Sequence, residues 1–150
     1  MKKKTKTNMK TTIKIKYHSD IPELKLLPQG DWIDLYSANE HYLISGEYKP
    51  LSLGVSMLLP VGYEAHVVPR SSTFSRHGII LANGVGIIDE SYCGNDDIWY
   101  FLAIALRDTT IPKHARICQF RLFSKMQKPN FKSVSALSDI GRGGLGSTGV

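Results

Sequence analysis

Asp89 lies in the segment Gly86-Ile87-Ile88-Asp89-Glu90-Ser91-Tyr92-Cys93-Gly94, where glycines bracket a carboxylate and, three residues on, an aromatic ring. A carboxylate so placed can orient and deprotonate water, while a neighbouring ring lies against a sugar. The same residues also fit a turn carboxylate and a core aromatic. Upstream, Pro69-Arg70-Ser71-Ser72 sets a guanidinium fork beside two hydroxyls, a donor set that suits phosphate or, more plainly, a capped surface turn with an ion-paired arginine. At the C-terminus, Arg142-Gly143-Gly144-Leu145-Gly146-Ser147-Thr148-Gly149 can wrap backbone amides, the Ser147 and Thr148 hydroxyls and the Arg142 fork around a terminal phosphate. It lacks the lysine and strand-to-helix setting of a P-loop.

These groups need elements to hold them. Ile13-Lys14-Ile15-Lys16-Tyr17 alternates as a half-buried strand does, and apolar stretches recur at 51–59, 63–68, 78–83, 98–106 and 115–123. Clusters of Pro, Gly, Asn and Asp separate them, and no long segment has helical period, so the chain is expected to be all-β. One short helix is expected over Thr73 to His77, capped by Ser71 or Ser72 and ended by a left-handed Gly78. Its free N–H groups would converge on the same spot as Arg70. Asn83-Gly84 reads as a hairpin turn whose open backbone can recognise a flat base edge.

Composition narrows the partners. With 150 residues, 42% of them hydrophobic, the chain is one soluble domain without a membrane-spanning run. The net charge of +6 comes largely from Lys2, Lys3, Lys4, Lys6 and Lys10; without those five, 14 basic residues face 13 acidic ones, which argues against nucleic acid as a partner. Cys93 and Cys118 make neither a disulfide framework nor a cysteine zinc site, and the basic start lacks the apolar core of a signal peptide. A cytoplasmic home follows as the expectation. The division expected is a disordered basic tail over 1–12, a β domain over 13–138, and a flexible Gly-rich arm over 139–150 with too few apolar residues to pack.

Taken together and in this order, the segments resemble the trimeric dUTP pyrophosphatases (dUTPases). Asp34-Leu35-Tyr36-Ser37-Ala38 looks like that family's first motif, Pro69 to Ser72 the second, Gly84 to Gly94 the third, Arg116-Ile117-Cys118-Gln119 the fourth and Arg142 to Gly149 the fifth. The third and fifth are the specific ones, and Leu in the fifth is similar to the Gram-positive bacterial or phage-like branch. The resemblance implies a jelly-roll subunit of the β-clip type, in a homotrimer whose shared active sites are closed by mobile, exchanged C-terminal arms. It implies hydrolysis of dUTP to dUMP and pyrophosphate, with Asp89 activating the water that attacks the α-phosphorus. Tyr92 would pack on deoxyribose and exclude a 2′-hydroxyl, and Asn83 and Gly84 would present backbone to uracil. Arg70, Ser71, Ser72, Gln119, Arg142, Ser147 and Thr148 would serve the triphosphate, Arg70 as a brace, and Asp34 would act near Mg2+ through its waters.

The chain departs from the family pattern in four places. More residues than usual separate Gly30 from Asp34; His114-Ala115 replaces Gly-Asp before Arg116, removing a carboxylate that could pair with it; and the fifth motif is short after its arginine. Leu145 stands where most members place a phenylalanine over uracil. A replacement ring could come from Trp99 or Tyr100, which alternate across a strand so that only one can serve; Tyr100 is the choice, unless both are core. The rival enzyme of this fold, dCTP deaminase, needs a glutamate beyond the third motif, and none follows Glu90. A phage-type member could also bind a repressor protein as an added regulatory role.

Overall fold

The computed structural model describes residues 11–144. Eleven strands and one short helix follow one another: β1 (Lys14–Tyr17), β2 (Ile33–Tyr36), β3 (His41–Leu43), β4 (Tyr48–Ser52), β5 (Val55–Leu58), β6 (Tyr63–Pro69), α1 (Thr73–His77), β7 (Ile79–Leu81), β8 (Gly86–Ile88), β9 (Tyr100–Ala105), β10 (Thr109–Ile111) and β11 (Arg116–Ser124). The all-β expectation holds. All strand pairs are antiparallel, in sheets ordered β2-β11-β6-β8 and β4-β9-β7 with the two-stranded pairs β1-β5 and β10-β3.

Alternation decides which side chains go inside. Along β9, Phe101, Ala103 and Ala105 are buried while Tyr100, Leu102 and Ile104 face outward, and along β6 Ala65 and Val67 turn into the same core. Trp99 meets Phe120 edge to face, with centroids 5.2 Å apart, and so joins the start of β9 to β11. That pairing adds about 0.5–1.5 kcal/mol beyond the area it buries. Backbone bonds from Leu53 N–H to Trp99 O and from Trp99 N–H to Val55 O hold the indole's strand in place.

Two expected elements differ. The stretch 51–59 is not one strand: Gly54, at φ 68°, turns the chain between β4 and β5, and a Cβ there would collide with Ser19 Oγ. Asn83-Gly84 does not close a hairpin, because β7 pairs with β9 and β8 with β6, in different sheets. Only Gly84 has positive φ, and its N–H bonds to Leu81 O, so the turn lacks the two left-handed residues of a tight hairpin and carries the chain across the edge instead. Three short strands, β2, β3 and β10, lie outside the apolar stretches of the sequence.

The helix has the expected bounds and ends at a left-handed Gly78 whose N–H bonds to Phe74 O. Its start is built differently. Ser72 occupies the cap position with helical dihedrals and makes no side-chain cap bond; the buried Thr73 hydroxyl accepts the Arg70 N–H at 2.8 Å and donates to Ile117 O at 2.8 Å. The last strand ends at Ser124, so regular structure stops well before residue 138, and the exposed run 125–144 follows it. Within that run Phe131, Leu137 and Ile140 are almost wholly exposed.

Candidate active site

The predicted phosphate residues gather where β2, β11 and the end of β6 lie side by side. Gln119 pairs with Asp34 on one flank and Val68 on the other, and Cys118 pairs with Pro69, so Arg70 emerges from β6 directly beside the β2 carboxylate. Asp34 Oδ1 accepts from Arg70 Nε at 2.8 Å, and its Oδ2 accepts from Arg116 Nη1 at 3.2 Å. The Asp34 side chain is only 15% exposed and Arg70 22%, so this is a sheltered pair that fixes the guanidinium. Thr73 completes the brace by tying the Arg70 backbone to β11.

Arg116 therefore finds its carboxylate on β2, and the missing aspartate before it is replaced in space by Asp34. Asp34, Arg70, Ser71 and Gln119 line one cleft with Leu27, Gln29, Gly30 and Trp32. Ser71 is exposed and Ser72 half-buried, both within reach of a ligand from outside. With both carboxylate oxygens already engaged, Asp34 has none left for direct coordination of a cation unless an ion pair breaks. Among the described residues no group of three or more His, Cys, Asp or Glu could hold a metal.

Asp89 follows β8 and sits in a second cleft with Glu64, Glu90, Ser91 and Lys125 to Pro129. Its Oδ1 accepts from the Ser91 N–H at 2.7 Å and from the Ser91 hydroxyl, while Oδ2 is left open. The Ser91 hydroxyl, then its N–H, and more weakly the Lys125 charge hold the Asp89 carboxyl below the usual range, so it is ionised at neutral pH. Tyr92 donates from its hydroxyl to Ile98 O at 3.0 Å, which holds the ring on the loop with 41% of its surface open. Partial burial, then the nearby Asp97 charge and the Tyr100 phenol push its hydroxyl up, keeping it neutral.

Tyr100 is 45% exposed whereas Trp99 is buried, so of the two alternating rings only Tyr100 faces outward. Asn83 and Gly84 stand exposed on the crossing turn, where the Gly84 N–H donates to Leu81 O and Asn83 O accepts the Val85 N–H, and no hairpin forms. Arg142 is exposed beyond the last strand, and Leu145, Ser147 and Thr148 lie outside the described residues.

Within one chain the two clefts are separate. Ile88 pairs with Ala65 near the start of β6, so Asp89 lies by Glu64, while Arg70 follows the other end of the strand. From Glu64 to Arg70 the backbone runs about six extended steps, about 20 Å at ~3.3 Å each.

The dUTPase family model matches residues 31–149, which takes in Asp34, Arg70, Ser71 and Gln119 of the first cleft, all of the Asp89 cleft and the C-terminal segment up to Gly149. The chain belongs to the dUTPase family. It is 51% identical over 139 residues to an SPbeta prophage-derived deoxyuridine 5′-triphosphate nucleotidohydrolase of Bacillus subtilis (strain 168), covering 92% of this chain and 98% of that one. It is 33% identical over 148 residues to the deoxyuridine 5′-triphosphate nucleotidohydrolase of Rickettsia akari, covering 93% and 98%. Among solved structures, a triple mutant of a Staphylococcus bacteriophage 80alpha dUTPase with dUpNHpp superimposes at a TM-score of 0.75 with 20% identity, covering 93% of this chain and 99% of that one. The Bacillus prophage and staphylococcal phage matches agree with the Gram-positive and phage-like branch, and the dUTPase fold is the one expected. The deaminase alternative is set aside.

Sequence reading missed Thr73 and the roles of Ser91, Glu90 and Lys125. A hydroxyl right after Arg-Ser-Ser, at the first helical position, was the available signal for Thr73. For Glu90 and Lys125, 35 residues apart, the sequence holds no local sign.

Proposed function

We propose that this dUTPase family member hydrolyses dUTP to dUMP and pyrophosphate, with the open oxygen of Asp89 as the base that activates water against the α-phosphorus. The observation that carries this is the Asp89 loop: one oxygen is held by Ser91, which fixes the carboxylate's orientation, and the other is free and ionised beside a cleft. An ionised carboxylate so oriented takes a proton from an in-line water, and the proton leaves Asp89 to solvent after product release.

The phosphate cleft supplies the opposite charge. Ser71 and Gln119 would donate to phosphate oxygens, Ser72 would join them, and Arg70 is braced by Asp34 to keep one face of its guanidinium near them. Arg142, Ser147 and Thr148 would meet the terminal phosphate, with Leu145 and Tyr100 against the base and Tyr92 against the sugar. The donor set near Asp34 suits Mg2+ only through its water shell, because both carboxylate oxygens are paired and a triphosphate supplies the oxygens the ion prefers. Bound there with the triphosphate, the ion would neutralise charge building on the departing pyrophosphate.

The placing of the Asp89 and Arg70 clefts at opposite ends of β6 supports a homotrimer with sites shared between subunits, the clamp of one meeting the base of another. The outward face of β4-β9-β7, with Tyr48, Pro50, Leu102, Ile104, Tyr100 and Ile80, is apolar and open enough to be covered by a second copy. The exposed Phe131, Leu137 and Ile140 support an arm that leaves its own subunit to pack on another and closes the site there. A cytoplasmic location is consistent with a reaction on a soluble nucleotide. The experiment is pyrophosphate release from dUTP, dTTP, dCTP and UTP with Mg2+: dUTP alone should turn over rapidly, and comparable turnover of dTTP would overturn the assignment.

A further inference from the structure

Glu90, next to Asp89, lines the same cleft, but both of its carboxylate oxygens are engaged back across the sheet. Its Oε2 accepts the Gly62 N–H at 2.8 Å and its Oε1 accepts Lys125 Nζ at 2.8 Å, while the Lys125 N–H donates to Gly62 O at 2.9 Å. Gly62 lies in the turn before β6, Lys125 follows the last residue of β11, and Ser124 pairs with Tyr63. One carboxylate thus joins the loop of the base to the two strands beside it, exactly where the chain leaves β11 for the C-terminal segment.

The cleft around Asp89 includes Lys125 and the four residues after it. Taking Asp89 as the base, we propose that Glu90 and Lys125 are positioning residues, a latch that sets the Asp89 carboxylate against the root of the C-terminal arm. The pair is about a third exposed, so its contribution to the stability of the fold is small and its value is geometric. A base displaced by about 1 Å from an in-line water loses rate steeply without losing substrate.

The charges facing Asp89 make the latch visible in a pH profile. Lys125 comes from the end of β11, Lys128 from the segment after it, Glu64 from β6 where His66 pairs with it, and Glu90 from the same loop. Removing the Lys125 charge leaves the Asp89 carboxylate less stabilised, so the acid limb of activity moves to higher pH. Removing the Glu90 charge releases Lys125 toward Asp89, so the limb moves to lower pH.

The test is the pH dependence of kcat for dUTP in full-length Glu90→Gln, Lys125→Met and Lys125→Arg, with Asp89→Asn as reference. Both disrupting variants should lose about tenfold in kcat at neutral pH with KM within about twofold. Their acid limbs should shift in opposite directions, and Lys125→Arg should restore both rate and limb. If Asp89→Asn is inactive but the two limbs stay put or move together, the latch is wrong and the base stands. If Asp89→Asn keeps its rate, the reading beneath the proposal fails instead.

Discussion

Ser91 donates twice to a single oxygen of Asp89, through its backbone N–H at 2.7 Å and through its hydroxyl. Both bonds favour the ionised carboxylate, and both go to Oδ1, so they also decide which oxygen remains free. The residue that tunes the base is therefore two positions from it in the chain.

Replacing Ser91 with alanine keeps the N–H bond and removes the hydroxyl, the largest cause of the lowered Asp89 pKa. A group whose folded pKa is depressed is ionised above that pKa, so losing the cause moves the pKa up. The acid limb of kcat should shift to higher pH in Ser91→Ala, while the rate on the alkaline plateau falls only about threefold. A pH–rate profile read from pH 4 to 9 checks this.

Asp34 is the counterweight to two guanidiniums. Asp34→Ala leaves Arg70 and Arg116 facing each other without a carboxylate, in a half-sheltered site. The expected cost is about 1–2 kcal/mol of stability, less than for a fully buried pair because solvent reaches Arg116. A freed Arg70 should also raise KM for dUTP by about tenfold, and titration of a non-hydrolysable analogue should show the same weakening.

Shared sites make a distinct prediction for mixtures. Subunits carrying Asp89→Asn and subunits truncated after Asp139 should each be nearly inactive alone. Mixed, unfolded and refolded together, some sites receive an intact Asp89 and an intact arm, so part of the activity should return. Pyrophosphate release from the mixture, set against the two parents, measures it.

Gly54 marks where stability depends on one backbone conformation. Its φ of 68° strains any other residue, and a Cβ would strike Ser19 Oγ and crowd Ala38. Gly54→Ala should lower stability by about 1–3 kcal/mol, seen as a drop in Tm at fixed protein concentration, with turnover per folded subunit unchanged.

Much of this was legible before folding. Alternation from Ile13 to Tyr17 gave β1, and Thr73 to His77 with Gly78 gave the helix and its stop, because these signals are local. The turn at Asn83-Gly84 was legible as a turn but not as a crossing between sheets, since the partners of β7 and β8 are set by distant strands. β3 and β10 are three residues each and pair only with one another, too short for their pattern to stand out. The motif residues could be named from the chain, yet the Asp34–Arg116 pair spans 82 residues and the Glu90–Lys125 pair 35. Pairing at such separations is a property of the sheet, not of spacing.

The central claim is that Asp89 takes the proton from the attacking water. The most direct measurement is turnover of dUTP by Asp89→Asn, with binding of a non-hydrolysable dUTP analogue measured on the same preparation. An amide of equal size cannot accept that proton, so kcat should fall by about a hundredfold or more while analogue affinity stays within a few-fold. A near-normal rate with normal binding would contradict the account and make Asp89 a turn residue that happens to line the cleft.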